Sequence, residues 1–126
     1  MKLRIKGDTL RLRVTQGELT TLSTQGSIED RIHFGVGQAL TYRLRVDAQA
    51  EELAASLTAN TIEVRLPARA AREWSQTDLV TLAGAQPLPQ GSLRLVVEKD
   101  WACLAPREGE DESDQFPHPE GHAKSC

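Results

Sequence analysis

The sequence predicts an α+β domain: a mostly antiparallel rolled sheet or small sandwich of about eight short strands with two short helices. Three observations predict it. Apolar residues recur at every second position through most of the first hundred residues, which is the period of a half-buried strand. Tight-turn residues separate those runs, and short connections favour antiparallel neighbours. Two segments break the alternation with the marks of helix starts.

The elements follow in order. Lys2 to Lys6 and Thr9 to Val14 alternate, with Gly7-Asp8 between them as a two-residue type II′ hairpin turn. Leu3, Ile5, Leu10, Leu12 and Val14 then share the buried face, and Lys2, Arg4, Lys6, Arg11 and Arg13 the other. Thr15 and Glu18 have capping-box spacing, Val14 and Leu19 the spacing of a hydrophobic staple. They begin a helix of about two turns that buries Leu19 and Leu22 and stops at Gly26. Ser27 to Phe34 reads as a strand with Ile28, Ile32 and Phe34 inward, followed by a turn between Gly35 and Gly37. Ala39 to Val46 is the next strand, with Leu40, Tyr42, Leu44 and Val46 in register and Arg43 and Arg45 outward. Leu53 to Thr58 is a weaker strand, Ala59-Asn60 a turn, and Thr61 to Leu66 a clean alternation. Pro67 suits a first helical turn, and Ala68 to Trp74 continues with Ala70, Ala71 and Trp74 toward the core. Leu79 to Ala83 is a short strand, Gln86 to Gly91 a proline-rich loop, and Ser92 to Glu98 the last strand. No internal repeat has a usable period.

The 126 residues suffice for one domain. Residues 1–105 hold 13 basic and 12 acidic side chains, so this expected compact domain is nearly neutral. Residues 106–126 hold 2 basic and 6 acidic side chains and three of the six prolines. With almost no aliphatic residues to bury, they are expected to form an acidic C-terminal tail. No apolar run nears the ~18 residues of a membrane span, and the first residues do not form a signal peptide, so the expected location is cytoplasmic.

Several residue runs carry a resemblance. They are Met1 to Gly7, Leu10 to Arg13 leading into Thr15-Gln16 and Glu18, Ala71 to Trp74, Val97 to Trp101 with Cys103-Leu104, and Asp114 with Phe116-Pro117 and Pro119. Together the chain resembles a family of small bacterial proteins of unknown function over nearly its whole length. The chain departs from the pattern of that family at one place: it has His118 between the two late prolines, where members of the family have Asn. The resemblance implies one compact bacterial domain and brings no functional residue with it.

Chemistry-bearing residues are sparse. Cys103, His118, His122 and Cys126 supply the soft sulfur and imidazole that zinc or copper would take. They lack a paired ligand module, and a solvated tail with incidental histidines is the favoured reading of the two. Cys103 reads as a buried thiol, because no cation or helix start is placed beside it. The basic strand faces, extended by Arg43, Arg45, Arg65 and Arg94, would attract phosphate, but Glu29, Asp30, Glu63 and Glu98 are also expected outward. Aromatic side chains make up 4% of the chain, too few for base stacking across such faces, so nucleic acid is not the expected partner. Trp74 and Trp101 read as core anchors, and His33 as an exposed strand residue. Phosphate-binding loops, nucleophile elbows and zinc-protease motifs are all missing, and no catalytic residues assemble in the sequence. The expectation is a non-enzymatic binding or accessory domain that contacts another protein through a sheet edge or the acidic tail, with metal binding as the alternative.

Overall fold

Each tight turn closes a hairpin. β1 (Lys2–Lys6) and β2 (Thr9–Val14) meet through Gly7 at φ +54, while Asp8 keeps a negative φ, as a type II′ turn requires. β3 (Ser27–Gly35) and β4 (Gln38–Asp47) turn at Val36-Gly37, β5 (Ala54–Thr58) and β6 (Thr61–Pro67) at Ala59-Asn60, and β7 (Thr81–Pro87) pairs with β8 (Ser92–Lys99). Ala59 and Asn60 both have positive φ, which is the type I′ pattern. The helices α1 (Gln16–Gln25) and α2 (Ala68–Gln76) follow β2 and β6 directly. This computed structural model describes residues 1–100 together with Asp114 and Phe116.

The capping box of α1 forms as its spacing predicts. The Glu18 N–H donates to Thr15 Oγ1 at 3.3 Å, and the Thr15 N–H donates to Glu18 Oε1 at 3.0 Å. The other two open donors of the first turn are met from far along the chain. Gln16 N–H donates to the Asp114 carbonyl and Gly17 N–H to Asp114 Oδ1, both at 3.0 Å. Position 17 must be small for this, since a Cβ there would lie 2.9 Å from Asp114 Oδ2. At the other end Gly26 takes φ +86 and its N–H donates back to the Leu22 carbonyl, the left-handed stop expected of it. Pro67 stands one place earlier than its helix-starting reading: it ends β6 and caps α2 from outside.

Eight strands form two four-stranded sheets, ordered β1-β2-β8-β7 and β3-β4-β6-β5. The four hairpin pairings are antiparallel, as expected, but both central pairings, β2 with β8 and β4 with β6, are parallel. The chain order explains this. β1–β2–α1–β3–β4 and β5–β6–α2–β7–β8 are the same unit twice, and each sheet takes one hairpin from each unit. Equivalent hydrogen bonds recur across the two seams. Arg94 N–H reaches the Asp8 carbonyl at 2.8 Å and Thr41 N–H the Asn60 carbonyl at 2.9 Å. The hairpins match as well: Lys99 N–H of β8 donates to the Val80 carbonyl before β7 at 3.0 Å, and Val46 N–H of β4 to the Gly26 carbonyl before β3 at 2.9 Å. The repeat is one of topology, which no overt sequence period announced.

Both sheets and both helices share one core. Leu10, Leu12, Val14, Leu95 and Val97 come from the first sheet, and Leu44, Ala55, Val64 and Leu66 from the second. Leu19 and Leu22 of α1 and Ala71 and Trp74 of α2 fill it from the helices. Ala70 is only half-buried. Trp74 is fully enclosed, and its indole N–H donates to the Val80 carbonyl at 2.9 Å. Strand β7 runs four residues past the expected Ala83, into the proline-rich segment. It is an edge strand, where Pro87 needs no outer ladder donor. Gln86 then spans the gap to the other sheet: its Oε1 accepts from Ala55 N–H at 2.7 Å and its Nε2 donates to the Ala55 carbonyl at 3.0 Å.

Candidate functional site

The long β3–β4 hairpin carries the chain's most conspicuous surface. β3 is an edge strand of nine residues and β4 has ten, whereas the strands of the other sheet have five to eight. The distal part of the hairpin therefore extends past the layer that would cover it. Ile28, near the start, packs against the core. Ile32 and Phe34, expected inward by alternation, are instead 48% and 68% exposed, and Val36 in the turn is fully exposed. The ladder also shifts register between His33 and Gly35, which bends the tip away from regular pairing. A depression of about 350 Å³ lies beside these side chains, lined by Phe34, Gly37, Gln38, Ala39, Leu40 and Asn60. Reading alternation alone missed this site. The signals for it were the length of the strand and an apolar Val36 set between two turn glycines.

Below the tip, the outer face of the same sheet is a solvent-facing ion-pair ladder. Arg43 lies between Glu29, at 3.0 Å, and Glu63, at 3.2 Å. Arg45 reaches Glu63 at 3.2 Å and Asp47 at 3.7 Å, and Arg65 reaches Glu63 at 3.5 Å. The Arg45 guanidinium, followed by Arg43, holds the Glu63 carboxyl below the ordinary carboxylate range against the opposing effect of burial. Glu29, first, and Glu63 hold the Arg43 guanidinium more firmly charged than usual. These cations are thus engaged by carboxylates. Asp30 is exposed as expected, but on the opposite face from Glu29: it shares a row with Tyr42, two positions from the core residue Leu44, and lies 3.3 Å from the Met1 amine.

A groove of about 970 Å³ opens between α1 and this sheet edge, with Glu18, Glu29 and Asp114 among its lining residues. Each carboxylate has structural work: Glu18 caps α1 and pairs with the Met1 amine, Glu29 pairs with Arg43, and Asp114 caps Gly17. The Tyr42 hydroxyl donates to the Met1 carbonyl at 3.3 Å; burial first, then Asp30 and Glu18, raises its pKa. Lys99 is another buried titratable group. Its Nζ donates to the Thr77 carbonyl at 2.8 Å and lies 5.2 Å from the Phe116 ring centre, and burial lowers its pKa against the pull of Asp78. Each of these polar groups has a structural partner, and nothing here pairs a nucleophile with a base.

Cys103, His118, His122 and Cys126 lie outside the described residues, as do Trp101 and the boundary expected at residue 105. Among the described residues no group of three or more His, Cys, Asp and Glu side chains is arranged to hold a metal ion. Two residues of the expected tail are described, and both contact the body. Asp114 caps α1, while Phe116 packs against the core and its N–H donates to the Asp100 carbonyl at 2.8 Å. His33 is exposed, as its place in the alternation predicts. Among the described residues no helix is long and apolar enough to cross a membrane.

A family of unknown function, DUF7009, matches residues 1–120, and the chain belongs to that family. No curated protein and no solved structure matches the chain.

Proposed function

We propose that this member of the family is a non-enzymatic binding domain whose β3–β4 hairpin inserts its tip into an apolar pocket of another protein. The observation that carries the reading is the exposure of Ile32, Phe34 and Val36 together at the end of one hairpin. Single exposed apolar residues are common on protein surfaces, but a contiguous set with no local packing marks contact surfaces. An aromatic anchor with aliphatic neighbours is also the kind of side-chain set that dominates interface energetics. Glu29, Arg43 and Glu63 tie the base of the hairpin to the neighbouring strand β6, leaving the tip as the part without such contacts among the described residues.

Photo-crosslinking in the native host tests the reading. A photoreactive residue at position 34 is expected to give one discrete protein adduct that Ile32→Ser and Val36→Ser together abolish. The same residue placed at Arg72, exposed on α2, should give no such adduct. Equal, diffuse labelling from both positions would overturn the proposal.

A further inference from the structure

The other open edge that carries a clear chemical pattern is β1. It is a terminal strand of its sheet, paired with β2 along one side. Its sequence, Lys2-Leu3-Arg4-Ile5-Lys6, alternates cation and aliphatic without interruption. The register puts Lys2, Arg13 and Glu98 in one row of the outer face, Arg4, Arg11 and Val96 in the next, and Lys6, Thr9 and Arg94 in the third. Six basic side chains thus share these three rows with one carboxylate among the described residues, that of Glu98. That carboxylate is already divided between Arg13 at 2.7 Å and Arg11 at 3.2 Å. Lys2 Nζ lies 3.3 Å from Asp100. Arg4, Lys6 and Arg94 are exposed, and their side chains make no ion pair or hydrogen bond among the described residues.

Two features of this face are unfavourable for the isolated chain. Arg4 stands directly opposite Arg11, and like charges in such a pair repel. On the inner side Ile5 is 59% exposed beside the half-buried Leu3. Both are relieved by the same event. We propose that the outer edge of β1, which pairs with no strand among the described residues, is a docking site for an extended strand of a partner protein in which carboxylates alternate with aliphatic residues. The proposal is independent of the hairpin tip and concerns a second surface.

The geometry selects this partner chemistry. Side chains on one face of a strand recur every ~6.6–6.8 Å, so carboxylates at every second position of an added strand fall beside Lys2, Arg4 and Lys6 in turn. The intervening aliphatic residues then fall beside Leu3 and Ile5 and cover them. A second copy of the chain is a poor occupant. Antiparallel pairing of β1 with itself about Arg4 would set Lys2 against Lys6 and Arg4 against Arg4. A nucleic acid would meet the cations, but these rows contain no aromatic side chain on which a base could stack, and Ile5 would stay exposed.

Fluorescence anisotropy with the full chain tests the site, using a labelled peptide that alternates Glu with Val and Thr. The controls are an isomer with its Glu residues in one block and a labelled oligothymidylate. The alternating peptide is expected to bind at least about tenfold more tightly than the block isomer, and R4E with K6E to weaken it by about tenfold or more. Ile5→Ser is expected to weaken the alternating peptide while leaving the block isomer unchanged. Thermal melts of R4E/K6E should equal or exceed the parent, since neither side chain has an ion pair among the described residues and the R4E carboxylate would face Arg11. Equal binding of the two peptides, or no loss in R4E/K6E, would overturn the proposal. Tighter binding of oligothymidylate would assign the face to nucleic acid instead.

Discussion

At the scale of single residues, Trp74 and Glu63 illustrate two kinds of dependence on neighbours. Trp74 fills the centre of the core and spends its one polar atom on the Val80 carbonyl. Trp74→Ala is expected to cost about 3–5 kcal/mol in urea unfolding, because the helix cannot collapse into so large a gap. Trp74→Phe should cost less, since the Val80 carbonyl keeps the Lys99 N–H at 3.0 Å. Glu63 works by charge. Its folded-state pKa lies below its ordinary value of 4.5, so its stabilising contribution is complete above pH 4.5 and is lost as pH falls through the depressed value. Urea midpoints measured against pH should show the parent losing stability over that acid range, and Glu63→Gln losing less. Parallel profiles would show that Glu63 carries none of the acid sensitivity. Both residues were partly legible in the sequence: Trp74 as a core anchor and Glu63 as an outward carboxylate among arginines. Which arginines it would bind was not, because that depends on the parallel register of β4 and β6.

At the scale of elements, the start of α1 shows what local sequence can and cannot say. Thr15 and Glu18 sit three residues apart, so their reciprocal bonds need only the local chain. Asp114 joins the same helix end from nearly a hundred residues away, and no local pattern could announce it. Thr15→Ala is expected to cost about 1 kcal/mol. Asp114→Ala should cost a comparable ~0.5–2 kcal/mol, since it removes a charge-assisted cap at a helix N-terminus. Differential unfolding of both variants checks this, and an unchanged midpoint for Asp114→Ala would mean that the cap contributes nothing in solution. The same contrast runs through the strands. Turn chemistry located three of the four hairpins, because Gly7-Asp8, Gly35 to Gly37 and Ala59-Asn60 act within a few residues. The length of β7 and the exposed end of β3 depend on what lies across the sandwich. Period-two alternation says which residues share a face, but not how far the opposite layer extends.

At the scale of the molecule, the two ββαββ units are interlocked, so neither can close a sheet without the other. In hindsight the units share a trace in sequence: Thr9-Leu10-Arg11-Leu12-Arg13-Val14 and Thr61-Ile62-Glu63-Val64-Arg65-Leu66 differ while keeping Thr, alternating apolar positions and one Arg. Each leads straight into a helix that buries one residue pair, Leu19 with Leu22 and Ala71 with Trp74. A pattern so common among strands does not reveal a repeat until the shared hydrogen bonds across the seams are seen. This interlocking predicts one cooperative unfolding transition, and it leaves the distal hairpin as a projection that the core does not need. The most direct measurement is the equilibrium urea unfolding of the triple variant Ile32→Ser, Phe34→Ser, Val36→Ser, run beside crosslinking from position 38. The account predicts a midpoint within the equivalent of about 0.5 kcal/mol of the parent, as for ordinary surface substitutions, together with loss of the partner adduct. A large drop in stability would contradict it, because the three side chains would then belong to the interior of the fold and not to a surface built for contact.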